Sequence, residues 1–241
     1  MAIVGLIPCA GRSSRFSYVT PKEMMPYRID KKTGGPVPVS RHVFDMMLKA
    51  GAKKIYFVAS PNRTPLFSYY GDGSEYGVAI GYIIQREPKG LADAMNKVLP
   101  FLSDDDYILF GMPDTYVLPE ESFSLLYKKL KQSDADVVLG LYKVNNVKEL
   151  CAVSVKDDST YLFEDKSANP KSDWAWGIMA FRKRYLEISS TMNYKPKGLS
   201  EFTVADVLNS GKLKIEVNKF QNGRFLDFKN FEVLYRFMIG K

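Results

Sequence analysis

IVGLIPCAGRSSRFSYVTPKEMMP, residues Ile3 to Pro26, is the stretch on which the architecture turns. Ile3, Val4, Leu6 and Ile7 read as a buried strand. It empties into a loop of small residues studded with cations, Ala10, Gly11, Arg12, Ser13, Ser14 and Arg15, and then reaches Lys22 between Pro21 and Pro26. A buried strand ending in such a loop brings backbone N–H groups close to a phosphate. Arg15 can grip phosphate oxygens in a fork, Lys22 can act as a point charge, and the two prolines fix the chain around it. The spacing is neither a Walker loop nor GxGxxG. A surface loop with scattered basic residues is the plain alternative.

Working outward, the pattern alternates. Lys54–Ala59, Val78–Gln85, Tyr107–Gly111 and Ala135–Tyr142 read as strands. Helices are predicted from Ser40, from Thr64-Pro65, over Gly90–Leu102 and over Glu120–Lys131. Charges around Gly34-Gly35 predict a hairpin or flap. Strand–helix alternation implies a parallel sheet covered on both faces, with ligands beyond the carboxyl ends of its strands. Past Asn145 the strands shorten and the rhythm becomes mixed. No linker intervenes, so one domain is expected over residues 1–241, with residues 146–241 a mixed extension of the 1–145 half that walls the substrate pocket.

Composition narrows the function. The net charge is +7, but lysine and arginine are dispersed, so a nucleic-acid partner is not expected. Two cysteines without a CxxC, and a single histidine, His42, argue against structural zinc and suit a reducing cytoplasm. The first apolar run is too short to span a membrane and lacks the basic flank of a signal peptide.

Three further groups could carry chemistry. Asp114, just past a buried strand, and Asp227, at the end of Arg224-Phe225-Leu226-Asp227, are placed like oxygen ligands of Mg²⁺; an Asx turn or helix cap is the alternative for each. Gln85 followed by Gly90 could read the N3–H and O4 of uracil or thymine, or Gln85 could be an edge polar residue. Cys9 to Arg15 also spells the Cys-x5-Arg phosphate cradle of cysteine phosphatases, although Phe16 follows the arginine and no Asp-Pro supplies a general acid. Trp174 and Trp176 read as core aromatics or as a floor for a sugar ring.

Read together, these residues make the chain resemble the sugar-1-phosphate nucleotidyltransferases (NDP-sugar pyrophosphorylases), most of all the glucose-1-phosphate thymidylyl- and uridylyltransferases. Pro21-Lys22-Glu23-Met24-Met25-Pro26 is close to that family's PKEMLP, and Gly71–Gly77 (GDGSEYG) is nearly verbatim for the thymidylyl branch. The resemblance implies a Rossmann-like three-layer α/β/α fold with a mixed, mostly parallel sheet. It also implies condensation of an NTP, UTP or dTTP favoured, with a sugar-1-phosphate to give NDP-sugar and pyrophosphate. Arg15, Lys22 and Asp114 would be catalytic. Ala10, Gly11, Arg12, Ser13, Ser14, Gln85 and Gly90 would bind the nucleotide. Asp165, Lys166, Gly177 and Thr203 would seat the sugar phosphate, and Asp114 and Asp227 would hold Mg²⁺. Gly11-Arg12-Ser13-Ser14-Arg15 departs from the usual Gly-x-Gly-Thr-Arg. Ala152 stands for a family glycine, Ser167 for a proline, and Lys229 breaks Asp-x-Gly-Thr. These last three lie on the sugar side, which leaves a CTP-dependent cytidylyltransferase for phosphocholine or a polyol phosphate, or a non-catalytic nucleotide-binding relative, as alternatives. Whether copies of the chain associate is left open.

Overall fold

A computed structural model describes residues 1–11, 20–87, 89–155, 160–192 and 203–240. The opening apolar run forms β1 (Ile3–Cys9), the hub of the central sheet. The flap is an antiparallel pair, β2 (Pro26–Ile29) with β3 (Pro36–Pro38). Then follow α1 (Arg41–Lys49), β4 (Lys54–Ala59), α2 (Thr64–Tyr70), β5 (Ala79–Ile84), α3 (Leu91–Asn96) and β6 (Tyr107–Gly111). A short strand that the pattern did not predict, β7 (Thr115–Leu118), comes before α4 (Ser122–Gln132) and β8 (Val137–Lys143). The second half supplies β9 (Cys151–Val155), β10 (Tyr161–Asp165), β11 (Trp174–Arg182), α5 (Arg184–Thr191), α6 (Val204–Leu208), β12 (Ile215–Phe220), β13 (Arg224–Asp227) and α7 (Phe231–Met238).

The sheet is mixed, nine-stranded and ordered β10-β9-β11-β6-β1-β4-β5, with β8 on the other edge of β11 and β12 outside it. Strands β6, β1, β4 and β5 are parallel, in a register that aligns Cys9, Ala59 and Ile84 at one carboxyl edge. The strongly apolar β1, β4 and β6 are buried because helices cover both faces of a parallel sheet. One apolar cluster, containing Val4, Val58 and Phe110, lies on one face; the other, containing Ile7, Phe57 and Leu109, lies on the opposite face. The alternation of side chains along each strand sends neighbours to opposite clusters. Strand β11 runs antiparallel to both β6 and β8 and joins the halves into one sheet.

Local differences from the sequence reading have local causes. Ser40 precedes α1, but its hydroxyl pairs with the Tyr70 hydroxyl at 2.8 Å instead of capping the helix. Helix α3 stops at Asn96, six residues short of the expected end, and continues as a 3₁₀ turn through Pro100, which has no N–H to donate to the helix.

Candidate active site

Beyond the carboxyl edge of the sheet lies a cleft of about 860 Å³. Lys22, Asp114, Asp165, Lys166, Gly177, Thr203 and Asp227 all line it. Residues separated by up to 205 positions in the chain thus share one cavity. Arg12, Ser13, Ser14 and Arg15 lie outside the described residues.

The aspartates are brought together by the unforeseen strand. Chain leaving β6 turns at Met112-Pro113-Asp114, where the Thr115 hydroxyl donates to the Met112 carbonyl at 3.0 Å, and enters β7. β7 pairs antiparallel with β13, so that Asp227 stands opposite Thr115. Directly beyond it, the Phe228 N–H donates to the Asp114 carbonyl at 2.9 Å. Gly177 makes this possible. It lies at a bulge within β11, and a Cβ there would come 2.5 Å from the Phe225 ring. The absence of a side chain lets β13 lie against the sheet.

Lys22 forms an ion pair with Asp114 at this point. Burial alone would lower the lysine pKa, but the Asp114 carboxylate, with Asp227 and Glu23 nearby, raises it, so the ammonium is retained. Asp114 is 3% exposed, and its Oδ1 is buried and accepts no hydrogen bond among the described residues. A buried anionic oxygen without a donor is costly, and a cation would satisfy it. Among the described residues no group of three or more His, Cys, Asp or Glu is placed to hold a metal. Mg²⁺ does not need one, since it is commonly bound by one or two carboxylates together with substrate phosphates. The pair Asp114 and Asp227 fits that ion.

Sequence reasoning missed the residue that braces the end of β1. Arg63, 8% exposed, donates from Nε to the Cys9 carbonyl at 2.8 Å and from Nη2 to the Gly11 carbonyl. The same Nε lies 2.8 Å from Oε1 of Glu23, which is 1% exposed. Its hydrogen points to Cys9, so the contact with Glu23 is ionic. Arg63 therefore ties the end of β1, with Ala10 and Gly11, to the segment that carries Lys22. The available signal was a lone cation beyond the carboxyl end of β4, the strand beside β1. Burial raises the Glu23 pKa, partly opposed by Arg63.

Across the cleft, Lys166 holds the sole positive φ of a non-glycine among the described residues, 49°, with its N–H on the Leu150 carbonyl at 2.9 Å. Burial raises the pKa of neighbouring Asp165, partly opposed by Lys166. Thr203 caps α6 in a reciprocal box with Asp206. Trp176 lines the cleft, and its ring also packs against Phe110 of the core. Ala152 is fully buried between β10 and β11.

Gln85 and Gly90 sit at the carboxyl end of β5. The Gln85 N–H donates to the Ala59 carbonyl at 2.9 Å. Gly90, with φ 94° and ψ 169°, adopts a backbone conformation almost confined to glycine and opens α3. Leu91, directly after it, lines the cleft. Cys9 is buried, and burial, reinforced by Glu23, raises its pKa well above the ordinary thiol value. That is the reverse of what a phosphatase thiolate needs.

This cleft, at the carboxyl edge of a doubly covered sheet, is the ligand-binding place of an open α/β protein, and the sequence comparison gives its family. The profile of the nucleotidyl transferase family matches residues 5–223, and the chain belongs to that family. It is 26% identical over 223 residues to a glucose-1-phosphate thymidylyltransferase of Neisseria meningitidis, covering 88% of this chain and 74% of the relative. It is 28% identical over 165 residues to the D-glycero-alpha-D-manno-heptose 1-phosphate guanylyltransferase of Campylobacter jejuni, covering 67% of each. In fold it is similar to a UDP-glucose pyrophosphorylase solved with UDP-glucose, with a TM-score of 0.77, 18% identity and coverage of 100% of this chain and 98% of that one. A Bacillus anthracis protein provisionally named a glucose-1-phosphate thymidylyltransferase aligns with a TM-score of 0.86 at 19% identity, over 99% and 94% of the two chains. No helix among the described residues is long and apolar enough to cross a membrane.

Proposed function

We infer that this protein condenses a nucleoside triphosphate with a sugar-1-phosphate, releasing pyrophosphate and forming a nucleotide sugar, with UTP or dTTP as the favoured donor. One observation carries the reading: Lys22 pairs with Asp114 in a cleft that Asp227, Asp165, Lys166 and Thr203 also line. The alternation of strand-end loops around one cavity is what a reaction between two bulky anions requires.

The attacking sugar-phosphate oxygen is already anionic, so no general base is needed and the site works without histidine. The barrier lies in bringing like charges together and aligning them. Lys22, released from Asp114 by an incoming phosphate, holds the α-phosphate and meets the charge that develops on it. Lys166 seats the sugar phosphate in line with the α-phosphorus. The Glu23–Arg63 pair keeps the end of β1 and Lys22 in fixed relation while pyrophosphate departs. Asp114 and Asp227 would hold Mg²⁺, which when bound neutralises phosphate charge.

Pyrophosphate release measured across UTP, dTTP, CTP, GTP and ATP with a panel of sugar-1-phosphates tests the reading. Release that requires both a pyrimidine triphosphate and a sugar phosphate is expected. Asp114→Asn should abolish it while circular dichroism shows an intact fold. Binding of nucleotide without release for any acceptor would favour a non-catalytic relative.

A further inference from the structure

The Gln85 side chain is not free to choose which way round it reads a base. It is 3% exposed, and its Nε2 donates to Asp93 Oδ2 at 2.6 Å. Asp93 sits in the first turn of α3, where Lys97 Nζ lies 3.8 Å from its other oxygen. A carboxylate accepts hydrogen bonds and does not donate them. Turning the Gln85 amide over would therefore put its carbonyl oxygen against an anionic oxygen at hydrogen-bond distance, in a buried place where that repulsion is poorly screened. The backbone at Gln85 is equally fixed by its bond to Ala59.

We propose that Asp93 is the specificity-determining residue of the base site: by holding the Gln85 amide in one orientation it selects bases that carry an N–H beside a carbonyl. The proposal rests on the nucleotidyltransferase reading above. In uracil and thymine, N3–H donates to Gln85 Oε1 while O4 accepts the remaining Nε2 hydrogen. Cytosine presents an unprotonated N3 beside an amino group, which is the reverse order. To pair with it the amide must turn over, and Asp93 opposes that. An unlocked glutamine would serve either order, since its two ends differ only in which atom donates. Asp93 is thus a positioning residue that acts through Gln85.

The test is kcat/KM for pyrophosphate release with UTP, CTP and N3-methyl-UTP, the last lacking the N3 donor. Wild-type protein should use CTP and N3-methyl-UTP at least about tenfold less well than UTP, the scale of one unmade buried hydrogen bond. In Asp93→Asn the new amide can turn either atom toward Gln85, and the UTP:CTP ratio should fall about tenfold. Asp93→Glu, which keeps the carboxylate, should hold the ratio nearer to wild type. A merely structural role would lower both nucleotides alike and leave the ratio unmoved, and an unmoved ratio overturns the proposal. So does wild-type protein that uses N3-methyl-UTP or CTP as well as UTP, a result that needs no variant to fold. Absence of pyrophosphate release with every triphosphate would overturn the parent reading and this one together. Release with an unaltered ratio overturns this one alone.

Discussion

Lys22 and Asp114 show how one pair serves two states. Without substrate, the ammonium compensates a carboxylate buried to 3% exposure. In the proposed reaction Lys22 would turn to the α-phosphate and Asp114 to a metal ion. Lys22→Ala should cost on the order of 10²–10³ in kcat, as loss of one transition-state charge contact does elsewhere. The same variant leaves Asp114 without its cation. Thermal unfolding with and without Mg²⁺ should then show a larger metal-dependent rise in Tm than in wild type, because the ion replaces the lost charge. An equal rise in both proteins would remove Asp114 from the metal site. Two features of this pair could be read from sequence, namely a lysine fixed by prolines and an aspartate after a buried strand. Their contact could not, because 92 positions separate them and nothing local joins them.

At the level of elements, the antiparallel pair of β7 and β13 sets the places of Asp114 and Asp227. Its geometry depends on a glycine in a third strand: Gly177 leaves room for the Phe225 ring, and β13 delivers Asp227. Gly177→Ala should cost about 1–3 kcal/mol of stability by overpacking and lower kcat as β13 shifts. Chemical denaturation of Gly177→Ala, Phe225→Leu and the double variant measures the coupling. The double variant should be more stable than the sum of the two single effects. Additive losses would mean that the ring does not press on this position. Strand β7 escaped sequence reading because Thr115–Leu118 is four residues long, too short to establish an alternation.

For the molecule as a whole, the histidine that the proposed chemistry does not use locks helix α1 to strand β7. His42 is buried in α1, its Nε2 lies 2.8 Å from the Val117 carbonyl and 3.0 Å from the Val117 N, and its ring stacks on Tyr116 at 4.3 Å. Burial lowers its pKa, although Val117, Glu120 and Asp45 oppose the shift. A histidine whose folded pKa lies below its unfolded value, about 6.5, takes up protons more readily when unfolded. Its contribution is therefore present above about pH 6.5 and is lost as pH falls from there toward the folded pKa. Stability of the wild type should drop on acidification through that window by at most about 1.4 kcal/mol per pH unit from this group. His42→Gln should show a flatter curve below about pH 6.5. Parallel curves would show that His42 titrates alike in both states.

The sequence by itself determined the layers. Lys54–Ala59 and Tyr107–Gly111 became buried strands at those bounds, and the run through Ile3, Val4, Leu6 and Ile7 became one that extends to Cys9, since continuous apolar runs between helices suit a parallel sheet covered on both faces. It also singled out Lys22 by its place between two prolines, and Asp114 and Asp227 by their place at strand ends, as candidates for the site. Only the tertiary structure decided what those residues meet. The Arg63–Glu23 brace, the seat that Gly177 gives Phe225, and Asp93 on the Gln85 amide are contacts between side chains on different elements. A periodic pattern records which face of an element is buried. It carries no record of the partner that buries it, because the partner is chosen by the packing of the whole chain.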